Sequence, residues 1–202
     1  MKALFTAVFL IFLQASFARS IYIAVSGDDA KGTGTSRNPY ATLGKAASVS
    51  VRGDIIHIND GIYRFSSGVS IPENVSIEGS DSGKVRLIAN YTSRSQSDAL
   101  LMLISAKAGT NGDQHISGIS LDGNNLTAYQ AIVVYGRSHV KVYRCAIKNF
   151  VNGGLLFRGN YERVGPPVPA KGNEIYYCTI ENCADRTTGL VGGSIVADGY
   201  AG

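Results

Sequence analysis

The chain has 202 residues, of which 45% are hydrophobic and 17% charged, with a formal net charge of +4; that is enough for one sizeable core and one domain. Its 24 glycines, absent tryptophan and few charges exclude a disordered chain and suit a turn-rich β protein better than a helical bundle. The lysines and arginines are scattered, without the aromatic-interleaved basic stripe of a nucleic-acid binder. Three cysteines, an odd number, argue against a disulfide framework.

The first twenty residues read as a separate object. Lys2 gives a positive start, "ALFTAVFLIFL" (3 to 13) is an apolar run, and "ASFARS" offers small residues before two cut points. This is the pattern of a secretory signal peptide, with cleavage after Ala18 or after Ser20. It is too short and wrongly flanked for a membrane-spanning helix, and no later stretch is long and apolar enough to span a bilayer. The expected mature protein is secreted, extracellular or held in the periplasm or at the cell surface, with no membrane attachment after leader removal. Losing Lys2 lowers the formal charge from +4 to +3, and losing Arg19 as well lowers it to +2. That mildly basic balance permits attraction to an acidic polymer.

"IYIAV" (21 to 25) reads as a strand and the polar, glycine-rich stretch 26 to 38 as a loop. In "PYATLGKAASVSV", Tyr40, Leu43, Ala46 and Ala47 fall on one helical face. Asn38 is expected to cap that short helix, with Pro39 at its first position. "RGD" then turns the chain, and "IIHIN" (55 to 59) reads as a strand ended by "DGIY".

After this the helical period does not return. Short apolar runs alternate with glycine, asparagine and aspartate: "VSIEG" (75 to 79), "VRLIA" (85 to 89), "LLMLIS" (100 to 105), "ISGISLDG" (116 to 123), "AIVVYG" (131 to 136), "HVKVYR" (139 to 144), "GLLFRG" (154 to 159) and "GSIVADG" (193 to 199). Each reads as a strand. "VYRCAIKNF" (142 to 150) returns as "IYYCTIENC" (175 to 183), with Tyr143 over Tyr176, Cys145 over Cys178, Ile147 over Ile180 and Asn149 over Asn182. Aligning Gly136, Gly159 and Gly199 puts Ile132 and Val134, Leu155 and Phe157, and Ile195 and Ala197 at common inward positions. Val133, Leu156 and Val196 then face outward, on a face expected to be partly covered. The first interval is 23 residues and the second 40, lengthened by "YERVGPPVPAKG" (161 to 172). Such repeats with insertions confined to turns mark a solenoid.

No two-residue hairpin turn followed by a mirrored strand is present, which favours parallel stacking of three short strands per coil over an antiparallel sandwich. Residues one coil apart lie about 4.8 Å from each other, so like side chains form ladders. Asn149 and Asn182 are expected to make an amide ladder, Cys145 and Cys178 an interior stack, and Lys148 an ion pair with Glu181. In-register Cβ vectors run parallel, which fits a Cys145–Cys178 disulfide poorly. The expected domains are residues 1–20 as signal peptide, 21–54 as strand and capping helix, and 55–202 as coils. No terminal helix or polar coil follows "GGSIVADGYAG", so a longer protein is expected to continue past Gly202.

Residues 21 to 63 carry Val25, Ser26, Asp29, Gly32, Thr33, Pro39, Tyr40, Ala41, Thr42, Leu43, Gly53, Asp54, Ile56, Ile58, Gly61 and Tyr63. In this pattern the segment resembles the N-terminal cap of secreted right-handed parallel β-helix proteins of the pectate-lyase-like superfamily. The coils match the generic repeat of that group, so the resemblance implies an all-β, right-handed parallel β-helix with an N-terminal capping helix. It names no activity, because lyases, epimerases, hydrolases and adhesins share the scaffold. The paired-aspartate and Gly-His-Gly signatures of the similar polygalacturonases are absent, as is the Asp-Pro-His-Asp signature of the alginate epimerases.

In the resembling enzymes the substrate groove follows the outer face of one stacked sheet. The glycine alignment sets Tyr135, Arg158 and Asp198 in one outward row: a tyrosine to stack on a sugar, an arginine to pair with a uronate carboxylate, an aspartate to bind Ca²⁺. The plainer reading is an exposed Arg–Asp pair beside a surface tyrosine. Lys141, Arg144 and Lys148 form a second outward cluster. A β-eliminating lyase needs a base beside the uronate carboxylate and a cation to neutralise it, and the resemblance implies Lys and Arg for both. The candidate catalytic residues are thus Lys141, Arg144 and Arg158, with Tyr135 and Lys148 for substrate. His57, His115 and His139 show no metal spacing, and Asp28 and Asp29 read as turn formers. The expected partner is an acidic polysaccharide, with Ca²⁺ as the cofactor to test, acted on by a monomeric lyase or bound by a non-catalytic surface scaffold.

Overall fold

The computed structural model describes residues 18–93, 98–107, 109–125, 128–159, 169–183 and 195–198. Most of the proposed leader and most of the insertion at 161 to 172 lie outside these residues.

β1 (Ser20–Ile23) leads through a loop to α1 (Leu43–Val49). The coils follow: β2 (Ile55–Ile58), β3 (Gly61–Phe65) and β4 (Val69–Ser70); then β5 (Ser76–Gly79), β6 (Val85–Ala89) and β7 (Ala99–Ile104). β8 (Thr110–Ser117), β9 (Ser120–Asp122) and β10 (Gln130–Tyr135) make the third turn of the solenoid, and β11 (Arg137–Tyr143), β12 (Ala146–Lys148) and β13 (Gly153–Arg158) the fourth. β14 (Glu174–Tyr176), β15 (Thr179–Glu181) and β16 (Ile195–Asp198) make the fifth. The first sheet runs β1-β2-β5-β8-β11-β14, the second β3-β6-β9-β12-β15 and the third β4-β7-β10-β13-β16. Every ladder between these strands is parallel, one strand per coil in each sheet, which is a parallel β-helix of the right-handed class.

Three aliphatic ladders fill the interior. Ile56, Ile77, Ile116 and Val142 stack in register in the first sheet, each fully buried. Leu87, Leu121 and Ile147 do so in the second, and Leu101, Ile132 and Leu155 in the third. Burying each such side chain is worth roughly 1.5–3 kcal/mol. The repeat of residues 142 to 150 at 175 to 183 is this register: Val142 pairs with Ile175, Tyr143 with Tyr176, and Ile147 with Ile180.

Corners need a left-handed residue. Gly118, Arg144 and Tyr177 hold φ of 65°, 52° and 54° at the turn from the first sheet to the second. The expected single strand "ISGISLDG" therefore breaks in two. A Cβ on Gly118 would also sit 2.2 Å from the Gly79 carbonyl oxygen of the coil below. β3 occupies the stretch read as the end of a strand, because Gly61 to Phe65 pairs with β6. In the outermost strand of the third sheet, Ile195 is 47% exposed although its row is inward.

The cap differs from expectation. Thr42, not Asn38, is the N-cap, its hydroxyl accepting from Lys45 N at 3.1 Å. Tyr40 cannot be helical because it runs beside β1, donating its amide to Tyr22 O at 3.0 Å and accepting from Ala24 N at 2.9 Å. Asp29 fixes the helix start by accepting from Ala41 N, Thr42 N and Thr42 Oγ1 at 2.8, 3.0 and 2.6 Å. Burial pushes the Asp29 carboxyl up, but these donors together with Lys45 outweigh it and hold it below the usual range. Asp28 forms the expected turn, accepting from Ala30 N and Lys31 N. Among the described residues no helix is long and apolar enough to cross a membrane.

Candidate functional site

Strand alternation sends every second residue of the first sheet outward. One outward row, in register across six strands, is Tyr22, His57, Glu78, Ser117, Tyr143 and Tyr176. The adjacent row contains His115, Lys141 and Glu174. Coil stacking turns these rows into contacts. Tyr22 and His57 stack at 4.9 Å and 22°, and Tyr143 and Tyr176 at 5.0 Å and 1°. Tyr177 meets Tyr176 edge-on at 5.5 Å and is 84% exposed.

Between the two aromatic ends lies a charged centre. His115 Nε2 is 2.7 Å from Glu78 Oε1, and His57 Nδ1 is 3.5 Å from Glu78 Oε2. The His115 ring also approaches Tyr143, at 5.8 Å between centroids. Lys141 Nζ sits 3.5 Å from Glu174 Oε2, and the Arg144 guanidinium lies over the Tyr143 ring at 5.2 Å. At the corner with the second sheet, a hollow of about 270 Å³ is lined by Ser80, Asp81, Arg144, Tyr177 and Thr179 among others. A second hollow, bordered by Tyr22, His57, Asp60 and Glu78, shares Ser80 with it. Ser80 donates to Asp60 at their junction. The outer face of the first sheet is thus a trough of flat rings, hydroxyls and carboxylates, with Arg144 at the corner hollow and Lys141 in the adjacent row. Rings of this kind stack on apolar sugar faces, and the cations can take carboxylates.

The residues singled out in the sequence do not converge. Lys141 and Arg144 belong to the trough. Lys148 lies on the second sheet; it is in register with Glu181, but its Nζ approaches Asp122 Oδ2 instead, at 3.7 Å. Tyr135, Arg158 and Asp198 do share one register row, but on the third sheet, so Arg158 is not a neighbour of Lys141 or Arg144. On that face Val133 and Leu156 are 2% and 5% exposed, packed with Met102 and Tyr135, so these two members of the apolar outward row are covered, while the side chain of Val196 lies outside the described residues. The side chain of Asp198 lies outside the described residues. Among the described residues no three His, Cys, Asp or Glu side chains gather as a metal site.

The His57, Glu78 and His115 grouping was missed because the histidines were weighed for metal spacing alone. Extending the coil alignment back through "IIHIN" and "VSIEG" to "IYIAV" would have set His57 beside Glu78, since each row member follows a core isoleucine or valine, whereas His115 stands one row away, just before Ile116, and meets Glu78 only across the rows. Arg137 was also missed. It is 1% exposed and donates to Ser105 Oγ, Gln114 Oε1, Ile71 O and Ile104 O at 3.0, 2.8, 3.1 and 2.8 Å. Ser105 in turn donates to Glu73 at 2.8 Å. Burial lowers the Arg137 pKa to about 10 against the pull of Glu73. These bonds tie consecutive coils together, a structural task.

No curated protein matches the sequence. A solved structure described as a rhamnogalacturonan lyase is 17% identical with a TM-score of 0.46, over 80% of this chain and 51% of that one. The chain therefore spans about half the length of that enzyme. The family model described as "Protein of unknown function (DUF1565)" matches residues 25–185, from the end of the first strand region through the fifth coil's second strand. This parallel β-helix chain, with the trough on its first sheet, belongs to that family.

Proposed function

We propose that the protein is exported and acts on an extracellular acidic polysaccharide, which lies along the outer face of the first sheet. The observation that carries this reading is the in-register row from Tyr22 to Tyr176, stacked at both ends and flanked by Lys141 and Arg144. A linear polymer has a repeat along its axis, and so does this face, at about 4.8 Å per coil. Tyr143, Tyr176 and Tyr177 supply stacking surface, while Arg144 is placed to meet a carboxylate at the corner hollow. Lys141 carries Glu174 as counter-ion, which suits it to binding.

A second reading, uronate β-elimination, is favoured by one arrangement. His115 is oriented by Glu78 at 2.7 Å and stands in register with Lys141 on the next coil. A base held by a carboxylate beside a cation is what removal of the proton next to a uronate carboxylate requires. In this reading Ca²⁺ is a cation supplied with the substrate.

The test is affinity electrophoresis of the wild type, Tyr143→Ala and Tyr176→Ala in pectate, alginate and glycosaminoglycan gels, with and without Ca²⁺. Retardation that each variant reduces several-fold supports the face. Equal mobility of all three forms in every gel overturns it. Unsaturated uronate product that disappears in His115→Ala would establish the lyase reading, and no product from the full-length protein would overturn it.

A further inference from the structure

The sequence leaves two leader cut points, after Ala18 and after Ser20, each with small residues at the required positions. The fold separates them. Asp54 is fully buried, at the start of the first coil. Its Oδ2 accepts from Arg19 Nη2 at 2.7 Å and Val51 N at 2.9 Å, and its Oδ1 from Arg19 Nε at 3.3 Å and Arg19 N at 3.0 Å. The Arg19 carbonyl also accepts from Ile55 N at 2.9 Å, the first rung between β1 and β2. Cleavage after Ser20 would remove three of the four donors and the only cation paired with a buried carboxylate among the described residues.

We infer that the leader is removed between Ala18 and Arg19, and that the new α-ammonium group of Arg19 becomes an ion-pair partner of Asp54. The inference rests on the export reading. Water adds across the Ala18–Arg19 peptide bond under an exporting cell's leader peptidase; Ala18 leaves with a carboxylate and Arg19 gains a protonated amine. The nitrogen that donated as a neutral amide at 3.0 Å from Asp54 Oδ1 then donates with a full positive charge. Processing thus adds a charge at the site that closes the N-terminal end of the first sheet.

The experiment is to express residues 1 to 202 in a secreting host and read the N-terminus of the exported protein by sequencing and intact mass. A terminus at Arg19 is expected. A terminus at Ile21 overturns this inference and leaves the export reading standing, whereas an uncleaved chain retained in the cell overturns both. The exported protein is then treated with a limiting amine-acylating reagent near neutral pH, natively and in urea. Native acylation of the α-amine should be several-fold slower than in urea and should speed up in Asp54→Asn. Equal rates in the folded and unfolded protein would show a free terminus and refute the pairing without needing the variant to fold.

Discussion

Asn182 donates its side-chain amide to Asn149 Oδ1 at 3.0 Å, and Asn149 donates its own to Asp122 Oδ1 at 2.9 Å, so three coils are joined at one corner by a polar ladder. Both asparagines hold positive φ, 64° and 50°. Asparagine suits the position twice, tolerating the left-handed backbone and carrying one donor and one acceptor along the stack.

This separates two substitutions at Asn149. Asn149→Gly keeps the backbone and loses the ladder, at a cost of about 1 kcal/mol. Asn149→Ala loses both and should cost roughly 1–2 kcal/mol more. Urea unfolding would show the order, glycine above alanine in midpoint, and the reverse order would refute the backbone argument.

Arg137 is a stronger case, since its cation is fully buried and five acceptors face it. Arg137→Met leaves those acceptors without donors and should cost about 3–5 kcal/mol. The measurement is the urea midpoint at unchanged slope. Arg137 shares β11 with Lys141 and Tyr143 but bonds to inward groups on other strands and turns, so binding at the trough by whatever fraction stays folded should not change.

Asp54 sets an acid limb. Burial, the largest influence, pushes its pKa up, but hydrogen bonds from Arg19 and Val51 and the Arg19 charge outweigh it and hold the carboxyl below the usual range. A carboxyl lowered in the folded state contributes stability above its unfolded pKa of about 3.9 and loses it as pH falls through the folded value. Wild type should therefore exceed Asp54→Asn by on the order of 2–3 kcal/mol near neutral pH. The gap should narrow steadily below about pH 4, as followed by thermal unfolding across pH.

The three cysteines are free thiols. The hydrogen bond with Cys178 and burial push the Cys145 thiol far up, and the same bond from Cys145 favours thiolate at the half-buried Cys178. Burial also raises Cys183. An aromatic disulfide reagent should titrate Cys178 first in the native protein, with Cys145 and Cys183 reacting only on unfolding. One fast thiol that vanishes in Cys178→Ser is the expected result; three equal rates would contradict it.

Much of this fold was written in local pattern. The recurrence of Val142–Phe150 at Ile175–Cys183 predicted the register, because stacked coils place like residues over like. The Asn149–Asn182 ladder followed from the same register, whose parallel Cβ vectors also argued against a Cys145–Cys178 bridge. The helix start did not, because the choice of Thr42 over Asn38 depends on Tyr40 pairing with Tyr22, a contact between chain segments far apart in sequence.

By itself, then, the sequence determined the solenoid, its three strands per coil and the outward or inward sense of most rows, since these follow from short-range alternation and a coil-length repeat. Tertiary structure alone decided which outward residues are neighbours. A cluster read along the chain at Lys141, Arg144 and Lys148 is divided between two sheets, while Glu78 meets both His57 and His115 from other coils. Each corner rotates the chain onto a new face, and each full coil brings distant residues within about 4.8 Å, so adjacency in space runs across the sequence rather than along it.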